Sequence, residues 1–250
     1  MDDDAHLSQI QTMWSMVHRA HGDHTALQPA QQQLLDRYGG AIRGYALAAL
    51  RDEDAADEVF QEFAVKFVRG DLGGADPGRG RFRAFVKTIV YRLIVDYQRR
   101  QKKRGFESPL HSNLAGESDS EGGASPIEEQ EDALFRASWR DDLLARCWAN
   151  LAEAECRTGR PHHTVLRYRV DHPDAGSPEL AVGLTEKLGK PINAGAVRVM
   201  LHRAREAFAD LLLDEVSNSL ANTSRDEVER ELIELELLEY CKPALERRKD

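Results

Sequence analysis

Apolar residues recur at spacings of three and four along most of this chain, and the alternation typical of a β-strand is nearly absent. This period places apolar side chains on one face of an α-helix. Residues 54–68 show it clearly, with apolar positions at Ala56, Phe60, Phe63, Ala64 and Phe67. The same pattern predicts helices at 7–20, 30–50, 129–156 and 163–170. We therefore expect an all-α protein.

Two stretches interrupt the helical pattern. Residues 69–81 contain five Gly and one Pro, which predicts a loop. Residues 105–132 are rich in Ser, Gly and acids and contain no Lys or Arg, which predicts an acidic flexible linker. Two small helical domains joined by this linker are the expected architecture. The expected boundaries are an N-terminal extension at 1–29, a first domain at 30–104, the linker at 105–132, a second domain at 133–213 and a C-terminal helical extension at 214–250.

Composition argues against several classes of protein. The chain has no run of about 18 apolar residues, the length that spans a bilayer, and its acidic N-terminus lacks the pattern of a signal peptide. Cys147, Cys156 and Cys241 are scattered and odd in number, which favours a reducing, cytoplasmic setting over a disulfide framework. Cys156 with His162 and His163 fits no common zinc spacing. We expect a cytoplasmic protein with no metal, no cofactor and no membrane partner.

Positive charge is concentrated in residues 78–104. This segment holds ten Lys and Arg and one acid, Asp96, although the whole chain has a net charge of −9. Its apolar residues keep the three-four spacing, so it predicts a helix with one buried stripe and a cationic ridge. Such a ridge suits a phosphate backbone, although a solvated helix end gives the same pattern. The candidate nucleic-acid contacts are Arg79, Arg81, Arg83, Lys87, Thr88, Arg92, Asp96, Arg99, Arg100 and Lys103.

Negative charge is concentrated on one face of the helix expected at 54–68, opposite its Phe-rich face. The polar residues of this face are Asp54, Asp57, Glu58, Gln61 and Glu62. Like charges at i,i+4 cost a few tenths of a kcal/mol each, so the clustering does not stabilise the helix. A solvated face and a docking surface for a basic partner both explain it. No His accompanies the carboxylates, which disfavours a metal site.

Residues 178–211 predict two helices joined by a turn at 189–193, with Asn193 as the N-cap of the second helix. This arrangement is typical of a helix-turn-helix, whose second helix enters the major groove of DNA. A helical hairpin with no DNA role fits the pattern equally well. The candidate DNA contacts are Asn193, Ala194, Arg198, His202, Arg203 and Arg205, with Arg198 best placed to meet a base edge.

The last stretch, residues 224–241, opens with a capping box formed by Ser224 and Glu227 and predicts one final helix. Its apolar stripe contains Val228, Leu232, Leu235 and Leu238. This helix either covers the second domain or contacts another protein.

Taken in order, these segments resemble RNA polymerase sigma factors of the extracytoplasmic-function type in the sigma-70 group. DAADEVFQEFAVKF (54–67) is similar to the region 2 stretch that docks on the polymerase. GRFRAFVKTIVYRLIVDYQRRQKKR (80–104) is similar to the promoter-contacting stretch that follows, and NAGAVRVMLHRAREAF (193–208) resembles the region 4 recognition helix. The turn at AVGLTEKLGKPIN (181–193) departs from the compact turn of that family, and both terminal extensions are additional to it.

The resemblance implies a transcription-initiation factor with no catalytic activity of its own. The acidic face would dock on the clamp helices of the β′ subunit of core RNA polymerase, and the flap of the β subunit is a second implied contact. Residues 70–104 would recognise the promoter −10 element and aid its opening, and residues 134–213 would bind the −35 element. An anti-sigma factor or another regulator is a further partner typical of that family. The alternative is a stand-alone helix-turn-helix regulator that binds duplex DNA without polymerase.

Overall fold

The computed structural model describes residues 28–69, 71, 82–103, 105, 126–220 and 224–248. These residues are almost entirely helical and contain no strand, which confirms the all-α fold. The helices among them are α1 (Gln28–Leu50), α2 (Glu53–Arg69), α3 (Phe82–Lys103), α4 (Pro126–Thr158), α5 (His162–Asp171), α6 (Ser177–Leu188), α7 (Ala194–Ser219), α8 (Arg225–Glu234) and α9 (Leu238–Arg247). No helix of the described part combines the length and the apolar character that crossing a membrane requires.

Several expected segments lie outside the described residues. They are the helix at 7–20, most of the loop at 69–81 and most of the linker at 105–132. The last residues of the expected linker, 126–132, are helical instead and form the start of α4. Proline is favoured in the first turn of a helix, and Pro126 is the first residue of α4.

The described residues divide between two compact units. The first contains those up to Asp142 together with those of 218–227, and the second contains residues 143–217 together with those from 228 onward. Helix α4 contributes its first part to the first unit and its remainder to the second.

Amphipathic faces of α1, α2, α3 and the first part of α4 form the core of the first unit. In α2, Ala56, Phe63 and Phe67 are buried as their spacing predicts. In α3 the buried stripe likewise contains Phe82, Val86, Val90, Leu93 and Ile94. Half-buried positions flank both stripes; they are Phe60, Ala64, Phe85, Ile89 and Tyr97.

Aromatic side chains attach α4 to the other helices of the first unit. The ring of Tyr38 on α1 stacks on Trp139 with centroids 4.9 Å apart, and it meets Phe82 of α3 at 5.0 Å. Phe135 meets the edge of Tyr45 at 5.1 Å. All five side chains are at most 2% exposed. Burial of such large rings makes α4 part of this core rather than a separate element.

The second unit is built around the hairpin of α6 and α7. Its core cluster consists of Val165, Leu180, Ala181, Leu184, Val197 and Leu201. In α7 the buried stripe continues through Ala204, Phe208 and Leu212, while Leu211 is only half-buried.

The C-terminal extension differs from its prediction as one helix. Helix α8 ends at Glu234 and α9 begins at Leu238, with Glu236 in the left-handed region at φ 59°. Leu235 and Leu237 are both buried although residues two apart in a helix point to nearly opposite sides. The break turns both side chains inward, which a continuous helix does not allow.

Candidate functional site

The acidic face of α2 is open to solvent along most of its length. The helix begins where the backbone N–H of Ala55 donates to the carboxylate of Asp52 at 2.9 Å, an N-cap that fixes the helix start. Asp54, Glu58 and Gln61 are exposed, while Asp57 and Glu62 are half-buried. The structure therefore brings all five predicted docking residues together on one accessible surface.

Two carboxylates of this face are held by arginines of neighbouring helices. Arg43 of α1 pairs with Asp57, and its hydrogen bond lowers the pKa of that carboxyl. Arg100 of α3 donates to Glu62 at 2.7 Å, and Lys66 lies 3.1 Å from the same carboxylate. Burial raises the pKa of Glu62, but the hydrogen bonds from Arg100 and Lys66 outweigh it and leave this pKa below its ordinary value.

The other three residues of the acidic face, Asp54, Glu58 and Gln61, make weak contacts or none within the described part of the chain. Glu58 lies 4.0 Å from Arg100, a longer and weaker pairing. Asp54 and Gln61 make no ion pair or side-chain hydrogen bond within the described part of the chain. Asp54 therefore keeps its negative charge, Glu58 is only weakly paired, and the neutral amide of Gln61 lies exposed beside them.

Helix α3 presents an exposed cationic face opposite its buried stripe. The exposed candidates are Thr88, Arg92, Asp96, Arg99, Arg100 and Lys103. The Thr88 hydroxyl donates to the carbonyl oxygen of Ala84 at 3.0 Å, and Arg99 lies 3.8 Å from Asp96. Arg92, Arg99 and Lys103 are the cations most available to a polyanion.

Other candidates on this segment have different surroundings. Arg83 is buried, with 9% exposure, next to the core of the first unit. Lys87 is half-buried and pairs with Asp132 of α4. Arg79 and Arg81 lie outside the described residues. The sequence pattern predicts Arg83 as a nucleic-acid contact, but Arg83 stands three and seven residues before the buried Val86 and Val90, which places it on their stripe.

The predicted helix-turn-helix forms a compact hairpin. Gly189 ends α6 in the left-handed conformation at φ 65°, which glycine adopts without steric cost. The backbone N–H of Ile192 donates to the Thr185 hydroxyl at 2.9 Å, which closes the turn. The backbone N–H of Ala196 donates to the Asn193 side-chain oxygen at 2.8 Å, so Asn193 caps α7 as predicted.

The N-terminal half of α7 is accessible. Arg198, His202, Arg203 and Arg205 are exposed there, whereas Ala194 is half-buried and Asn193 uses its side chain as the helix cap. The structure thus gathers the predicted DNA contacts on one end of one helix.

Helix α9 covers the C-terminal half of α7 and leaves this end open. The Tyr240 ring meets the edge of Phe208 at 6.1 Å. Arg247 lies 3.1 Å from Glu206 and 3.2 Å from Asp210. The sequence left two roles open for the C-terminal extension, covering the second domain or contacting another protein. The structure shows the extension in contact with α7.

Comparison with known protein families gave a match to the stretch that forms α1, α2 and α3. Residues 34–104 match the family model for sigma-70 region 2. The match shows similarity to sigma-70 proteins over this stretch, and it spans most of α1 together with all of α2 and α3, the helices that carry the acidic and cationic faces. A sigma-70 region 2 supports binding to RNA polymerase and melting of promoter DNA. Comparisons with curated proteins and with solved structures gave no match.

An ion pair that the sequence does not predict joins the first two helices of the matched stretch. Arg43 pairs with Asp57 across 14 positions of the chain, and no periodic pattern connects the two residues. Only the packing of α1 on α2 brings them together. No group of three His, Cys, Asp or Glu in the described residues is arranged to hold a metal ion.

Proposed function

We propose that this protein is a sigma factor of the extracytoplasmic-function type that binds core RNA polymerase and directs promoter-specific initiation. The observation that carries the proposal is the region 2 match on three helices whose acidic and cationic faces are both accessible. In this role the protein has no catalytic activity of its own and acts in the cytoplasm. Residues 30–104 serve as region 2, residues 133–213 as region 4, and both terminal segments are extensions.

The acidic face of α2 is the proposed docking surface for the clamp helices of the β′ subunit. Its support is the row of exposed side chains at Asp54, Glu58 and Gln61. Charges at the rim of an interface mainly steer association and set its salt dependence. Asp57 and Glu62, already paired with Arg43 and Arg100, fix the positions of the helices beneath this surface.

The exposed face of α3 is the proposed contact for the promoter −10 element. Arg92, Arg99 and Lys103 lie on it and are positioned to neutralise phosphates. Strand opening requires bases to leave the stack, which costs a few kcal/mol. Capture of the unpaired strand by this region offsets that cost and so aids DNA opening.

The hairpin of α6 and α7 is the proposed reader of the −35 element. Its support is the capped, exposed and basic N-terminal end of α7 on a rigid core. The flap of the β subunit is the proposed polymerase contact for this region, and an anti-sigma factor or another regulator is a further proposed partner.

Reconstituted transcription tests this function. Purified core polymerase is incubated with a genomic DNA library with and without the full chain, and transcript starts are mapped. We expect new starts at a common pair of upstream sequence elements only when the chain is present. The hairpin of α6 and α7 also favours the alternative function, because a stand-alone regulator would bind duplex DNA with the same two helices. Duplex binding without association with core polymerase and without new starts would establish that alternative.

A further inference from the structure

We infer that a ridge on α7, formed by Gly195, Val199 and His202, reads the bases of the upstream element, and that the arginines beside this ridge hold phosphates instead. The inference rests on the proposed function, in which α7 enters the major groove. It replaces the expectation that Arg198 meets a base edge.

The position of the ridge follows from the buried side of α7. Val197, Leu201, Ala204 and Phe208 are buried and define the inward direction of the helix. At 3.6 residues per turn, the positions opposite to them are 195, 199, 202 and 206. Glu206, at the C-terminal end of this line, is half-buried, paired with Arg247 and 3.6 Å from the His202 ring, so the ridge consists of the three positions before it. All three residues of the ridge are exposed. The ridge is therefore the line of α7 that projects farthest from the core of the second unit.

Val199 gives the ridge an apolar contact surface. It is 49% exposed, one of few large apolar side chains so exposed in the described part of the chain. Single exposed apolar side chains are common on folded proteins, so this exposure shows only that the Val199 side chain is accessible to a ligand. A thymine methyl group in the major groove is the matching apolar feature of DNA, and the His202 ring next to it can donate or accept a hydrogen bond at a base edge.

One flank of the ridge forms a cationic groove of about 450 Å³. Arg198 and Arg205 of α7 line it together with Arg169 of α5 and the first residues of α6. Arg169 donates to the carbonyl oxygen of Ala175, which holds its side chain at the groove. No carboxylate is among the described residues that line this groove; Glu179 accepts from the backbone N–H of the lining residue Gly176 at 2.9 Å. Three guanidinium groups in the lining give a site that favours a phosphate.

The opposite flank forms a second groove, of about 590 Å³. Its cations are Arg160, Lys190 and Arg203, and His162 also lines it. The carboxylates at its far end, Glu206 and Asp210, already pair with Arg247 of α9. The C-terminal extension therefore neutralises the acids that would otherwise repel a phosphate from this flank.

The two grooves match the geometry of duplex DNA. A major groove about 12 Å wide admits one α-helix and is bordered by a phosphate backbone on each side. A helix with one cationic groove on each flank meets both backbones when its central ridge faces the bases. Phosphate contacts fix register without selecting sequence, whereas the ridge selects it. Arg198 and Arg205 are thus positioning residues, and Val199 is a specificity-determining residue.

The test uses the full chain with core polymerase on promoters whose upstream element is randomised. V199S is expected to remove the preference for a T·A pair at one or two positions while total transcript falls less than about threefold.

R198A and R205A are expected to lower transcript from every template alike and to reduce the salt dependence of DNA binding by about one counterion each. V182S is the matched control, because Val182 of α6 is 72% exposed away from the ridge. It should change neither property.

The outcomes separate this inference from the proposed function. An unchanged set of preferences in V199S, or a preference lost at a single position in R198A, would overturn the inference while promoter-directed transcription by the wild-type chain still stands. Absence of transcription from every template with the wild-type chain would overturn both. Circular dichroism of each variant shows whether the hairpin has kept its fold.

Discussion

Arg100 connects the cationic helix to the acidic one through its 2.7 Å hydrogen bond to Glu62. Both side chains are partly exposed, so solvent screens the pair and its contribution to the free energy of unfolding is about 0.5 kcal/mol. We expect R100A to lower stability by this amount in chemical denaturation at pH 7. R99A is the matched control, because Arg99 lies only near Asp96 at 3.8 Å, and it should leave the midpoint unchanged. A larger effect of R99A than of R100A would contradict the assignment.

The pH dependence of the same pair has a definite sign. The folded-state pKa of Glu62 is lowered below its ordinary value of 4.5, so the stabilisation is present above that value and is lost as the pH falls through the lowered pKa. The difference in stability between wild type and R100A should therefore shrink as the pH is taken from 7 to 3. A difference that grows on acidification would show that another group carries the effect.

The three cysteines should differ sharply in reactivity. Cys156 is exposed, whereas Cys147 and Cys241 are buried. Burial raises the pKa of the Cys241 thiol to about 12, which leaves almost no thiolate at pH 8. We expect an alkylating reagent to modify one thiol rapidly, and C156S to abolish this fast phase. Rapid modification of a second thiol would show that α9 does not stay packed on α7.

Close packing between α5 and α6 depends on the glycine at position 183. A Cβ added there would lie 1.8 Å from the Tyr168 hydroxyl oxygen and 2.5 Å from the adjacent ring carbon, so the ring must move. We expect G183A to destabilise the second unit by about 1–3 kcal/mol, because overpacking outweighs the gain in helix propensity. Hydrogen exchange in the α6–α7 hairpin measures the change.

G44A is the matched control for that substitution. The added Cβ would meet Ser138 at 3.6 Å, an ordinary contact, so only the improved helix propensity acts, and stability should rise by up to about 1 kcal/mol. Equal effects of the two substitutions would contradict the packing described for α5 and α6.

The three-four spacing of apolar residues predicts the helices well, because each buried helix face imposes that spacing on its own stretch of sequence. The stripes of α2 and α3 follow from it directly, as does the cap at Asn193. The C-terminal extension was predicted less well. Burial of both Leu235 and Leu237 requires the left-handed turn at Glu236, and a helical pattern carries no signal for a turn that tertiary packing stabilises.

The sequence predicts which residues lie on each candidate surface, but it does not predict which of them form ion pairs. The exposed row on α2 and the exposed arginines of α7 follow from sequence spacing alone. The pairs Arg43–Asp57 and Lys87–Asp132 do not, because each pair joins two different helices and depends on how those helices pack. Arg83 shows a related effect, since a position on a buried stripe overrides the usual exposure of arginine.

At the scale of the molecule, positive and negative side chains are concentrated on different surfaces, and in the first unit these two surfaces are neighbours. The first unit places an acidic face and a cationic face on adjacent helices and links them through Arg100. In the second unit the basic end of α7 is kept free of its own acids by Arg247 of the C-terminal extension. Each accessible surface therefore carries mostly one sign of charge, which suits a protein that binds a polymerase with one face and DNA with others.

The affinity of the full chain for core RNA polymerase tests the central claim most directly. D54K/Q61K changes two exposed positions of α2 without breaking an ion pair of the described structure, and E153K/E239Q makes the same total change in charge on exposed positions elsewhere. We predict that D54K/Q61K weakens binding about tenfold or more while E153K/E239Q leaves it within about twofold. Equal affinities of the two variants, with both folded, would contradict the claim that the acidic face of α2 docks on the polymerase.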